Sequence, residues 1–145
     1  TSLYRLAFSI TRNSSDAQEA VAEAVCRAYE RYPQLREKEK LPRWLLKITA
    51  NEARRLCQRR GRTVSLDDLP TEPAIPGRET GDDTLWQAVQ TLPRDQREAV
   101  VLFYYEDLPT EEIARIVGTS PGAVRVRLSR AREKLRSILK EGDYG

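Results

Sequence analysis

The chain has 145 residues, with 25 Lys and Arg against 22 Asp and Glu, a net charge of +3 and no histidine. That length suffices for one compact domain or two small ones, the missing histidine removes the commonest general acid and base, and no apolar run approaches a membrane span. No signal-peptide pattern is present, so the cytoplasm is the expected location, and with no methionine in the chain a natural start ahead of Thr1 is expected.

Residues 3 to 13, LYRLAFSITRN, read as the end of an amphipathic helix. SSDAQEAVAEAVCRAYERYP, 14 to 33, follows as a second helix with Ser14 or Ser15 as cap and Pro33 as terminator. Its Ala17, Ala20, Val21, Ala24, Val25 and Ala28 repeat at i, i+3, i+4 and i+7, an apolar face of small residues that allows close packing. Gln18, Glu19, Glu23 and Glu30 occupy the other side, an acidic strip on an otherwise basic stretch. PQLREKEKLP, 33 to 42, is a charged loop, and Pro42 suits the first turn of the helix RWLLKITANEARRLCQRR, 43 to 60. Trp44, Leu45 and Ile48 form its core edge, while Lys47, Asn51, Arg54, Arg55 and Gln58 share one face, extended by Arg59 and Arg60. A basic face with an amide at its centre suits a phosphate backbone, and generic surface helices carry the same pattern.

GRTVSLDDLPTEPAIPGRETGD, 61 to 82, has little periodicity and reads as a flexible linker. Beyond it, Val100, Val101, Phe103, Tyr104 and Tyr105 are assigned to a core. TEEIARIVG, 110 to 118, has a Thr110 cap, Glu111 and Glu112 in the first turn and a Gly118 stop. The next helix, SPGAVRVRLSRAREKLR, 120 to 136, has Ser120 as N-cap and Pro121 at the first helical position. Val124, Leu128, Ala131, Leu135 and Ile138 line its core stripe. Arg125, Ser129, Arg132 and Arg136 run along one side, Arg127, Arg130 and Lys134 along the other, so the charge makes two rails. A short helix, a glycine turn and a basic second helix make a helix-turn-helix, whose second helix enters the major groove of DNA.

Residues 1 to 60 carry thirteen basic and seven acidic side chains, residues 61 to 82 two and five, and residues 83 to 145 ten of each. In that last block, 121 to 140 hold seven basic residues and one acidic, so two basic surfaces flank an acidic segment. The expected fold class is therefore all-α, with two small helical domains, 1 to 60 and 83 to 145, joined by the linker 61 to 82. Cys26 and Cys57 form no C-x-x-C pair and read as reduced, partly buried thiols. No metal site, cofactor or small-molecule substrate is expected, since there is neither a metal-ligand cluster nor a glycine-rich phosphate loop. An enzyme is the least favoured class. A stand-alone helix-turn-helix transcriptional regulator would need a dimer interface and a paired site, and an RNA-binding adaptor would need more aromatics placed for stacking.

Taken together, DAQEAVAEAVCRAYERY, PRWLLKITANEARRLCQRR and LPRDQREAVVLFYYEDLPTEEIARIVGTSPGAVRVRLSRAREKLR resemble the bacterial extracytoplasmic-function (group IV) sigma factors over nearly the whole chain. The resemblance implies a protein that binds core RNA polymerase, recognises promoter DNA and helps melt it, with no chemistry of its own. It implies polymerase docking through Asp16, Gln18, Glu19 and Glu23, and minus-ten contacts through Lys47, Asn51, Arg54, Arg55 and Arg59. At the polymerase-docking strip Ala22 departs from the family's usual Gln. The loop 33 to 42 would lie where the family captures a flipped-out base. In the minus-thirty-five domain Ser120, Ala123, Arg125 and Val126 would approach base edges, and Arg127 and Arg130 would hold phosphates. An anti-sigma factor is the further partner the family implies, with no insertion into the membrane.

Overall fold

The computed structural model describes residues 2–60 and 83–144, and every regular element among them is helical. The linker assigned to 61–82 lies outside the described residues. Helix α1 (Ser2–Thr11) turns through Arg12, whose φ is 55°, and the extended Asn13 into α2 (Ser14–Arg31). This turn decides the cap of α2. Asn13, with φ −146° and ψ 123°, holds the N-cap backbone, and its side chain accepts the Asp16 N–H at 2.9 Å. The expected cap at Ser14 or Ser15 is thus displaced upstream, and the Ser14 hydroxyl pairs instead with that of Tyr4 at 3.0 Å.

Ala17, Ala20, Ala24 and Ala28 are all buried, so α2 lies close against its neighbours, while Val25 falls off this face and is exposed. Two 3-10 turns, Tyr32–Gln34 and Lys38–Lys40, carry the chain over the surface to α3 (Leu41–Arg59). Leu46, Ala50, Ala53, Leu56 and Cys57 of α3 enter the core, and Trp44 and Leu45 cover Ala24, Ala28 and Ile48 as the expected core edge.

The second unit comprises α4 (Asp83–Gln90), α5 (Arg94–Val100), α6 (Thr110–Val117) and α7 (Pro121–Tyr144). Helix α5 runs into a π-helical turn, Val101–Tyr105, closed by the Glu106 N–H on the Val101 carbonyl at 3.2 Å. The wider turn buries Val101 and Leu102, half-buries Phe103 and Tyr105, and leaves Tyr104 exposed, so Tyr104 is not the core residue expected. Pro109 occupies the N-cap of α6 and Thr110 is its first helical residue, so the cap lies one position earlier than the expected Thr110.

The two units share one apolar cluster. Leu6, Phe8 and Ile10 of α1 join Trp86, Val89, Leu92, Val101 and Leu102 of the second unit. Phe8 and Trp86 stack with ring centroids 6.5 Å apart, and Trp86 meets Tyr105 edge to face at 5.4 Å. Helix α1 is consequently enclosed: Leu6 to Thr11 are all buried, Ser9 and Thr11 included, instead of forming one apolar face.

Candidate nucleic-acid and polymerase interface

The helix-turn-helix is built by its turn. Gly118 takes the left-handed φ of 77°, which brings its N–H and that of Thr119 onto the Ala114 carbonyl at 2.8 and 3.0 Å. The Ser120 hydroxyl then accepts the Ala123 N–H at 3.1 Å, so Ser120 is the N-cap of α7 and Pro121 opens the helix, as the residue order predicts. Val124, Leu128, Ala131 and Leu135 are buried and Ile138 half-buried. That anchorage turns Arg125, Val126 and Arg130 outward beside Ser120 and the half-buried Ala123.

Not every cation of the rails stays free. Arg127 Nε lies 3.7 Å from Asp95 Oδ2 at the start of α5. Arg132 donates from Nε to the Tyr104 hydroxyl at 2.6 Å and covers the rings of Phe103 and Tyr104. Arg125, Val126 and Arg130 stay outward at the N-terminal turns of α7, where a recognition helix reaches deepest into a groove.

On α3, Lys47 and Asn51 are exposed, as a DNA-facing side requires. Arg54, at the edge of that side, turns to the second unit and donates to Glu98 Oε1 of α5 at 2.5 Å. Arg43, at the start of the same edge, reaches Glu112 Oε2 of α6 at 3.2 Å. Arg55 is drawn to Glu52 at 3.0 Å, which also takes Arg27 at 2.6 Å, and Arg59 lies 3.9 Å from Glu19.

The acidic strip of α2 is smaller than the residue pattern suggests. Asp16 is fully buried and bonded to Arg60, so its carboxylate is a structural group of the α2–α3 contact and not a docking residue, which corrects the expectation. Glu19 accepts from Arg60 Nη2 at 2.8 Å, while Gln18 and Glu23 remain exposed. Beside them the surface continues through Ala22, Val25 and Tyr29, the last 84% exposed. Gln18, Ala22, Val25 and Tyr29 recur at i, i+4, i+7 and i+11 and make one stripe, in which Val25 was expected in the core and Tyr29 had no expected role.

Two arginines are buried where the units meet. Arg97 donates from Nε to the Ser9 carbonyl at 2.6 Å and from Nη1 to the Leu92 carbonyl at 2.7 Å. Its Nη2 is buried with no acceptor among the described residues. Desolvation, with repulsion from Arg12 and Arg94, pushes Arg97 down to about 10, so it is still a cation at neutral pH. Arg12, lowered by burial as well, donates to the Gln90 carbonyl. Cys57 is buried with Sγ 3.8 Å from the Ile10 carbonyl, whereas Cys26 is exposed, contrary to the partly buried thiol expected. Among the described residues no group of three His, Cys, Asp or Glu is arranged to hold a metal, and no helix is long and apolar enough to cross a membrane.

Comparison with known proteins decides what this arrangement is for. Residues 1–63 match the family model of sigma-70 region 2, and residues 82–135 that of sigma-70 region 4. RNA polymerase sigma factor SigV of Bacillus subtilis is 32% identical over 142 residues, which cover 97% of this chain and 86% of that protein. ECF RNA polymerase sigma factor EcfG of Rhodopseudomonas palustris is 32% identical over 143 residues, covering 95% and 79%.

The chain belongs to the extracytoplasmic-function sigma factors. As a sigma factor it directs promoter-specific transcription by RNA polymerase, and the stand-alone regulator is not favoured. Its fold is similar to that of the sigma factor RpoE in a co-crystal structure with the anti-sigma factor NepR from Bartonella quintana, at a TM-score of 0.77 and 27% identity, covering 95% of this chain and 89% of that one. CnrH, solved with the cytosolic domain of CnrY, shares the fold at a TM-score of 0.66 and 24% identity. In this sigma factor the exposed edge of α7 and the exposed side of α3 are the two basic surfaces. Arg43, Glu98 and Glu112 were missed because a contact between segments so far apart leaves no local pattern in the sequence.

Proposed function

We propose that this protein is a group IV sigma factor of the cytoplasm that holds core polymerase through α2, the minus-ten element through α3 and the minus-thirty-five element through α7. The observation that carries the reading is the open N-terminal end of α7 on a helix-turn-helix, joined in one chain to a second exposed basic helix side on α3. Residues 1 to 60 then serve as region 2 and residues 83 to 145 as region 4, with 61 to 82 between them. Ser120, Ala123, Arg125 and Val126 approach base edges, and Arg130 holds a phosphate. Arg127 serves the same backbone after exchanging Asp95 for phosphate, an easy exchange at 3.7 Å on a solvated surface.

Lys47, Asn51, Arg55 and Arg59 face the minus-ten strands, joined by Arg54 once it leaves Glu98. Gln18, Glu19 and Glu23, together with Tyr29, form the docking stripe for the polymerase. The 33 to 42 loop, exposed apart from the half-buried Leu35 and Leu41, receives an extruded base. The reading includes no catalytic step. An anti-sigma partner is supported by the likeness to RpoE, which was solved with one. Run-off transcription from promoter fragments, with core polymerase and with or without this protein, tests the proposal. Initiation only when both are present is the expected result. Tight specific DNA binding by the protein alone, without initiation, would overturn it.

A further inference from the structure

The cations at the edge of α3 are already occupied by carboxylates of the other unit. Arg54 and Glu98 meet at 2.5 Å, and the Glu98 side chain is 5% exposed. Arg43 and Glu112 meet at 3.2 Å, and Arg5 of α1 meets Glu106 at 2.9 Å. Helical geometry sets Arg43, Lys47, Arg54 and Gln58 within roughly 60° of one another. Glu98 and Glu112 therefore sit beside Lys47, on the flank of the surface that the proposed function gives to DNA. A carboxylate offers an arginine the same paired acceptor oxygens as a phosphate. The carboxylate takes a guanidinium nitrogen that a phosphate would use and adds a negative charge that repels it.

The seam that brings these carboxylates into place is compromised by its own charges. Arg97 and Arg12 are buried in it, bonded to backbone carbonyls and, among the described residues, to no carboxylate, with Glu98 beside Arg97 offsetting only part of its charge. Burying a cation whose charge is at most partly offset is costly, and desolvation lowers the pKa of both. Separating the units returns both arginines to water, which offsets part of the loss of the Phe8–Trp86 contact. A seam that combines an aromatic stack, two buried cations bonded only to carbonyls among the described residues and three rim ion pairs carries a desolvation cost that opening relieves.

From these contacts we infer that Glu98 and Glu112 are intramolecular phosphate mimics, forming a clasp that closes the α3 edge against DNA until the units separate. The inference rests on the proposed DNA-facing role of α3. The closed protein keeps Arg125, Val126 and Arg130 of α7 exposed, so duplex contact through α7 is available before strand contact through α3. Opening by polymerase or by competing phosphates frees Arg43 and Arg54 together, because both are held by the same unit.

Two readouts on the full chain test the clasp. Fluorescence transfer between dyes on the exposed Cys26 and on a cysteine introduced by S129C reports separation of the units without any DNA, since Cys57 is buried. Anisotropy of a labelled single-stranded oligothymidine reports access to α3. Glu98→Gln with Glu112→Gln should lower the transfer and raise oligothymidine affinity about tenfold. The control pair Glu111→Gln with Glu133→Gln makes the same change in net charge at exposed carboxylates and should change affinity less than twofold.

Equal gains in both pairs would reduce the effect to net charge and overturn the clasp, as would unchanged transfer in the first pair. Lowered transfer with no gain in affinity would overturn the masking of DNA by removing the DNA role of α3, which separates that failure from failure of the clasp. Should the double variant not fold, Glu112→Gln alone, at the rim, is expected to give a smaller gain in the same direction. Its absence would count against the inference equally.

Discussion

Arg54 on α3 and Glu98 on α5 stand 44 positions apart in the chain and bond at 2.5 Å. Glu98 is nearly buried, so removing its partner leaves a carboxylate that has lost both water and counter-charge. Arg54→Ala should therefore destabilise the protein by about 2 kcal/mol, in the range for hydrogen bonds to charged groups. Lys47→Ala, on the exposed part of the same side, should change stability by less than about 0.5 kcal/mol. Urea unfolding of both variants checks the contrast, and equal costs would contradict the placement of Arg54 at the seam.

Arg130 is exposed and makes no ion pair among the described residues, in the position of a phosphate contact. Arg130→Ala should weaken binding to all duplexes alike and reduce the slope of log K against log salt by about one. Titrations of several duplex sequences across a salt series measure this. Loss confined to one base pair would reassign Arg130 to base reading.

Gly118 holds a φ of 77° with no atom within 4 Å of an added Cβ. The cost of Gly118→Ala is accordingly backbone strain alone, about 1 to 2 kcal/mol. Asn tolerates the left-handed region better, so Gly118→Asn should cost visibly less. Thermal melts of the two variants rank them, and a larger loss for Asn would show that space, and not φ, limits the turn.

Asn13 caps α2 through the Asp16 N–H. Asn13→Ala should cost about 1 kcal/mol, whereas Ser15→Ala, at an exposed position inside the helix, should cost little or nothing. The reverse order in denaturant melts would move the cap back to the serines.

Tyr29 is 84% exposed, so its ring contributes little to the fold. On the docking stripe it offers a large aromatic surface of the type that dominates interface energetics. Tyr29→Ala should weaken core polymerase binding about tenfold while leaving the melting temperature within a degree or so. Binding and melting measured on the same preparation separate docking from folding.

Each module's helices were legible because their signals are local. The Ala17 to Ala28 face, the Gly118 stop, the Ser120 cap and the stripe from Val124 to Leu135 follow from a repeat of 3.6 residues and from groups within one turn of each other. The same local rules erred where a second surface intervened. α1 looked amphipathic and is enclosed, and Asp16 looked like part of an exposed strip and is buried on Arg60. At the α2 N-terminus the left-handed Arg12 shifted the cap by one or two residues, a backbone choice that Ser14 and Ser15 did not announce.

By itself the sequence determined the helical modules, the two basic surfaces and the helix-turn-helix, since periodicity, caps and charge density are properties of neighbouring residues. Which cations remain available was decided by the tertiary structure alone. Arg125 and Arg130 face outward, whereas Arg43, Arg54 and Arg97 are engaged by groups brought from elsewhere in the chain. The physical reason is the range of the interactions: a helix is specified over four residues, but an ion pair exists only where packing brings two distant side chains within about 4 Å of each other.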